Sequence, residues 1–241
     1  MTTARSIVLV HGAWGGAWIW QRVLAPLRAA GHGVHAVTLT GDGERAHLLT
    51  PSIALQTHVD DVLGCVRSEE LDGLVLVGHS YAGMVITAAA DRLLAEGRRL
   101  HAMVYVDAVV PLPGEAWSST HSAETVAQRN AAAAAHGCAF PPPDPAVFGL
   151  AGADRDWLLR RQVPHPFGPY HDRLHFNAER LAAVPRWFID CTAPALPTIA
   201  VARQRVRAAP GWQVHELATG HCPMVSMPRQ LTGLLLQAAA G

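Results

Sequence analysis

The chain contains no lysine. All 19 of its basic residues are arginine, balanced by 19 Asp and Glu in 241 residues. Without lysine, no Schiff-base intermediate and no lysine electrophile is available, which removes one whole mode of covalent catalysis. Charged residues make up only 16% and the formal net charge is zero. Such a chain lacks the basic excess that nucleic acid and anionic membrane surfaces select, so neither is expected as a partner. There is no C-x-x-C pair, and Cys65, Cys138, Cys191 and Cys222 are scattered without zinc-like spacing. They read as free thiols in a reducing compartment. The 14 histidines show no ligand spacing either, so no metal is expected. No apolar run approaches transmembrane length. The opening MTTARSIVLVHG runs straight into a strand, without the basic and apolar regions of a secretory signal. The expectation is a cytoplasmic protein.

What is present is a globular composition, 50% hydrophobic, long enough for one sizeable core and a single domain over 1–241. Short β-branched or apolar runs at Ile7–Val10, Val34–Leu39, Leu74–Val77 and Ala102–Val106 alternate with amphipathic helical segments at Ala17–Ala30, Ile53–Ser68 and Ala82–Ala95. The alternation predicts an α/β fold, a mainly parallel sheet with helices on both faces. From about Pro111 to Pro185 the pattern breaks into Pro-, His- and Trp-rich sequence, with helical stretches at Glu124–Ala135 and Asp154–Arg161. Pro141-Pro142-Pro143 and Pro164-His165-Pro166 are expected outside regular elements. An insertion of this length reads as a helical lid over a site, about 111–185, with the core in 1–110 and 186–241. Strands resume at Trp187–Cys191 and Trp212–Leu217, and a helix closes the chain at Pro228–Ala239.

Three segments carry chemistry. Gly78-His79-Ser80-Tyr81-Ala82-Gly83 sits between a buried strand and a helix. A sharp strand-to-helix turn strains its central residue and lifts the side chain out of the sheet, which is how a nucleophilic serine is presented. A helix N-cap accounts for Ser80 alone, not for its small neighbours. The glycine-rich loop His11-Gly12-Ala13-Trp14-Gly15-Gly16 follows the first strand. It can turn backbone N–H groups inward, and Ala13 and Tyr81 are the candidate donors of an oxyanion hole. His221, in Gly220-His221-Cys222 between the last strand and the last helix, is the candidate base. Trp14, Trp18, Trp117, Trp157 and Phe167 are either apolar pocket walls or core.

VLVHGAWGGAWIW, TLTGDGERAHLL, THVDDV, LVGHSYAG, VYVDAVVPLPGEAW and ELATGHCPMVSMP together resemble the α/β-hydrolase superfamily, almost end to end. More narrowly, they are similar to the branch of plant methylesterases, hydroxynitrile lyases and their bacterial esterase relatives. The resemblance implies an α/β-hydrolase fold and the chain order nucleophile, acid, histidine, which His221 fits by coming last. It also separates lyase from esterase. The lyases carry threonine where Gly12 stands and lysine where Cys222 stands, so cyanohydrin cleavage is not expected here. In these relatives the acid follows the penultimate strand shortly after a cysteine matching Cys191, but this chain reads Cys191-Thr192-Ala193-Pro194-Ala195-Leu196-Pro197, with no carboxylate. The substitute is Asp107, at the end of the strand in VYVDA, or else Asp107 caps a loop at the base of the lid. Asp190 is a weaker candidate because it lies on a strand and can face the wrong side; a site with no acid is the third alternative.

The reading is a cofactor-independent serine hydrolase of carboxylesterase type, with Ser80 as nucleophile and His221 as base, acting on a small ester, thioester or lactone. A base without its acid leaves two others open: a lyase or cyclase on the same fold, and a ligand-binding protein. The expected partner is a small-molecule substrate, with a homodimer left open.

Overall fold

The computed structural model describes residues 4–241. The chain begins with β1 (Ser6–Val10), α1 (Gln21–Ala29), β2 (Gly33–Val37), α2 (Leu55–Ser68), β3 (Leu74–His79), α3 (Ala82–Ala95) and β4 (Leu100–Val106). Between β4 and the next sheet strand come α4 (Ala123–Ala135), a two-residue β5 (Ala139–Phe140), α5 (Gly152–Leu159), a two-residue β6 (His165–Pro166) and α6 (Ala178–Ala182). The chain finishes with β7 (Arg186–Cys191), α7 (Ala200–Ala208), β8 (Trp212–Leu217), α8 (Pro223–Ser226) and α9 (Pro228–Ala240).

Six strands form one sheet in the order β2-β1-β3-β4-β7-β8, with every neighbour parallel. The sequence dictates this arrangement through burial. All six residues of β3 are buried, so it takes a central place, where a parallel sheet is covered on both faces. Along it the side chains alternate. Leu74 and Leu76 pack with α2, α3 and α7, whereas Val75 and Val77 pack with α1 and α9. The half-exposed β2 and β8 sit at the two edges.

The expected α/β-hydrolase architecture is thus present. One local expectation is corrected, and one helix was not foreseen. Pro164-His165-Pro166 does enter a regular element: Pro166 pairs with Ala139 and His165 with Phe140 in a small antiparallel ribbon. A proline is tolerated there because a two-strand ribbon is all edge and needs no ladder from its missing N–H. Helix α7 had no counterpart in the sequence reading. Its AVARQRVRA buries only Ala202 and Val206, too narrow an apolar stripe to stand out beside three arginines.

Because Leu76 is fully buried at the centre of β3, Leu76→Ala is expected to cost about 2–5 kcal/mol of stability. Urea unfolding measures it, and a loss below about 1 kcal/mol would contradict this placement of the core.

Candidate active site

β3 ends at His79 and α3 begins at Ala82, so the strand turns into the helix over two residues. Ser80 takes the strain, with φ +56°. The turn is held from the segment after β4. The Ser80 N–H donates to the Val106 carbonyl (3.2 Å), and the Ser80 carbonyl accepts from the N–H groups of Val109 (3.0 Å) and Gly83 (3.1 Å). A left-handed non-glycine residue costs roughly 1–3 kcal/mol and persists only where its surroundings fix it. Gly83 explains why alanine is allowed at position 82. A Cβ on Gly83 would lie 1.9 Å from the Val109 carbonyl oxygen, so the close approach falls at 83 and Ala82 fits, fully buried.

The structure brings Ser80, His221 and Asp107 together. Ser80 Oγ is 2.8 Å from His221 Nε2, and His221 Nδ1 is 2.7 Å from Asp107 Oδ2. An ionised carboxylate only accepts, so Nδ1 carries the proton and Nε2 is left to accept from the serine hydroxyl. The histidine is held by its backbone as well. Its N–H donates to the Phe148 carbonyl (3.0 Å) and its carbonyl accepts from His79 Nε2 (2.8 Å). Burial and the neighbouring His221 hold His79 well below the usual histidine range, so His79 is a neutral buttress.

Asp107 is fully buried. Its second oxygen accepts from Arg203 Nη2 at 2.7 Å, and Arg203 also binds the carbonyls of Leu196 (2.7 Å) and Cys191 (3.2 Å). From α7, then, the Arg203 guanidinium reaches back to the acid-free loop after β7 and ties it to Asp107. Asp190 turns away from the histidine and pairs with Arg203 and Arg207, which excludes it as the partner of His221. A buried carboxylate is tolerable only when paired on its several lone pairs, and here His221 and Arg203 divide them. Sequence reasoning missed Arg203, whose one cue was an arginine close behind the acid-free loop.

The glycine-rich loop lies against the serine. A Cβ on Gly12 would stand 2.8 Å from Ser80 Cβ and 3.0 Å from His79 Nδ1, so the threonine of the lyases has no room. No acceptor for the N–H of Ala13 or Tyr81 is found among the described residues. Beneath the loop is a buried polar layer without a role in the sequence reading. His11 Nε2 accepts the Leu39 N–H (3.0 Å), so its Nδ1–H donates to the Gly12 carbonyl (2.7 Å). The Tyr81 hydroxyl donates to His58 Nδ1 (2.9 Å), and His58 Nε2–H donates to the Thr40 carbonyl (2.9 Å). Asp42 takes His165 Nδ1 at 2.8 Å and the Trp14 N–H. Burial drives this layer towards neutrality, pushing Asp42 up to about 7 and His58 down to about 4. Asp42 belongs to the quoted TLTGDGERAHLL, but nothing local says that its partner is His165, 123 residues away.

A cavity of about 330 Å³ opens beside Ser80 and His221, walled by Trp14, Trp117, Phe140, Phe148, Leu196 and Ile199. Trp14 and Trp117 are therefore pocket walls. Trp18 lies on a narrow cleft behind Gly12, against Trp157, which is core, and Phe167 packs on Phe140 and Tyr170. Burial pushes the thiols of Cys191 and Cys222 far up, so neither is a nucleophile. Among the described residues, no three His, Cys, Asp or Glu side chains gather as metal ligands.

The model of the alpha/beta hydrolase family matches residues 7–233. A carbendazim hydrolyzing esterase of Nocardioides sp. is 39% identical over 235 residues, covering 94% of this chain and 96% of that protein. A rice esterase (Oryza sativa subsp. japonica) is 26% identical, over 99% of this chain and 97% of its own. Among solved structures, an extracellular alpha/beta-hydrolase from a Paenibacillus species superposes with a TM-score of 0.84 at 20% identity, covering 97% of this chain and 98% of that one. A pyrethroid hydrolase from Sphingobium faniae gives 0.74 at 23%, covering 98% of each.

Two outcomes follow from this geometry. Gly12→Thr is expected to displace Ser80 and lower kcat on a simple ester by about 100-fold, the cost of an ångström-scale misplacement; unchanged kcat would show that the contact is not tight. His58 has a folded pKa below its unfolded one, so its contribution to stability is complete above about pH 6.5 and is lost as pH falls through about 4. Urea unfolding at pH 7 and pH 4.5 is expected to show lower stability at the acid value, and His58→Asn a shallower fall. Equal slopes in the two proteins would contradict a buried neutral His58.

Proposed function

The chain belongs to the alpha/beta hydrolase family, and we propose that within it this protein is a cofactor-independent serine carboxylesterase acting on a small ester, thioester or lactone. The observation that carries the proposal is the continuous line from Asp107 through His221 to Ser80, with contacts of 2.7 and 2.8 Å, opening into a mostly apolar cavity. The relatives named esterases point the same way.

In this mechanism Ser80 Oγ attacks the substrate carbonyl while His221 Nε2 takes its proton. The carbonyl oxygen becomes an oxyanion and accepts hydrogen bonds from the N–H groups of Ala13 and Tyr81; each such donor is worth about 10²–10³ in rate. Collapse of the intermediate expels the alcohol or thiol, which His221 protonates, leaving an acyl group on Ser80. Water then attacks the acyl-enzyme, His221 accepts its proton, and the acid is released as Ser80 regains a proton. Asp107 keeps His221 in the Nδ1–H tautomer and stabilises the imidazolium formed in both halves. The insertion 111–185 acts as the lid, giving Trp117, Phe140 and Phe148 to the pocket.

The lyase, cyclase and ligand-binder readings drew on a histidine without an acid. The Asp107 contact weighs against all three, and the crowding at Gly12 weighs further against cyanohydrin cleavage. The same proposal carries the cytoplasmic placement and a small-molecule substrate as the partner. No helix among the described residues is long and apolar enough to cross a membrane.

Hydrolysis of 4-nitrophenyl acetate tests the proposal. The unaltered protein is expected to turn it over, and Ser80→Ala and His221→Ala each to lose at least about 10³-fold in kcat. A Ser80→Ala protein within tenfold of the original would overturn it, as would an unaltered protein that neither hydrolyses the ester nor reacts at Ser80 with a fluorophosphonate.

A further inference from the structure

Besides Ser80 and His221, the cavity has one charged wall, Arg129 on α4. Its guanidinium is half-buried among aromatic rings, 5.2 Å from the centre of Trp117, 5.3 Å from Tyr170 and 5.8 Å from Phe140. Stacking on ring faces holds the guanidinium plane and favours its charge, but it uses none of the five N–H donors along the edges. Those donors meet only neutral groups. Nη1 donates to His121 Nδ1 at 3.3 Å, and the Tyr170 hydroxyl, 2.8 Å from that same nitrogen, hydrogen-bonds the guanidinium as well. Burial and the adjacent guanidinium hold His121 down at about 4, so it is uncharged near neutrality.

No carboxylate lies within salt-bridge reach of Arg129 among the described residues, and none lines the cavity. Arg203 and Arg205, which are also partly buried, are each paired with Asp or Glu, whereas Arg98 and Arg186 donate to backbone carbonyls and not to a carboxylate. A half-buried cation without a counter-charge is costly to maintain, and the N–H groups that His121 and Tyr170 leave over can still meet a carboxylate in charge-assisted hydrogen bonds. The remaining walls are mostly apolar, and a cavity of about 330 Å³ is at the small end of ligand pockets.

We propose that Arg129 is the receptor for a carboxylate on the substrate, so that the preferred substrates are small, largely apolar esters bearing a carboxylate away from the bond that is cut. This rests on the esterase reading above, and it adds a specificity determinant that sits on the lid and not on the sheet.

Two measurements on the full chain separate the proposal from the reading beneath it. The first is calorimetric binding of benzoate against its neutral isostere benzamide, which needs no turnover. Benzoate is expected to bind at least about tenfold more tightly, the scale of one charge-assisted hydrogen bond, and Arg129→Met to remove that preference while Arg129→Lys retains part of it. The second is kcat/KM for 4-acetoxybenzoate against 4-acetoxybenzamide. The anionic ester is expected to be favoured about tenfold or more through KM, with the ratio collapsing in Arg129→Met. Equal binding of benzoate and benzamide by the unaltered protein, or a preference that survives in Arg129→Met, would overturn the carboxylate receptor. Turnover of neither ester, with the benzoate preference intact, would instead overturn the esterase reading and leave an anion-binding pocket.

Discussion

The backbone of Ser80 is bonded on both sides to the segment that leaves β4, and the rest of the site depends on this lock. Val106 accepts its N–H, and Val109 donates to its carbonyl. Asp107 lies between those two residues and itself turns through φ +42°, so the constraint that strains the serine also sets the position of the acid. Ser80 and Asp107 directly follow adjacent parallel strands, β3 and β4, and at the C-terminal edge of such strands side chains converge on a common crevice. A bond shared between two strained turns is a rigid way to hold two groups that must both reach one imidazole.

The electrostatics complete what the backbone begins. Asp107 is out of water and shared between His221 and Arg203; Arg203 also pairs with Asp190, Asp190 with Arg207, and Arg207 with Glu216. The chain of charges runs from the buried site to the half-exposed β8, so that no carboxylate in it is left unpaired. On the opposite side of Ser80, the layer of Asp42, His165, His11 and His58 is kept close to neutral by burial, supporting the glycine-rich loop through hydrogen bonds and little net charge. The proposed base thus works between a charged flank and a neutral one.

Much of this was legible in the sequence, and the parts that were not share a cause. The fold followed from periodicity, because strands buried on both faces read as unbroken apolar runs and β3 is such a run. Ser80 and His221 followed from their places at a strand–helix turn and after the last strand. VYVDA fixes where the strand ends and not where the carboxylate points, so the 2.7 Å contact of Asp107 with His221 could not be read from it. Arg203, His79 and the Asp42–His165 pair escaped because each acts through a partner 13 to 142 residues away, and their local sequence describes only ordinary helix, strand or loop. Arg129 escaped for a related reason: on an alanine-rich helix it reads as a solvated surface arginine until Trp117, Phe140 and Tyr170 are seen around it.

The most direct measurement compares the rate at which a fluorophosphonate labels Ser80 in the unaltered protein, in Asp107→Asn and in Asp190→Asn. Asparagine keeps the shape of the side chain and removes the charge that fixes the histidine tautomer. Asp107→Asn is expected to slow labelling by about 10³–10⁴-fold, as loss of the acid does in such a triad, and Asp190→Asn by far less. Labelling of Asp107→Asn within tenfold of the unaltered protein, or a larger loss in Asp190→Asn, would contradict Asp107 as the partner of His221.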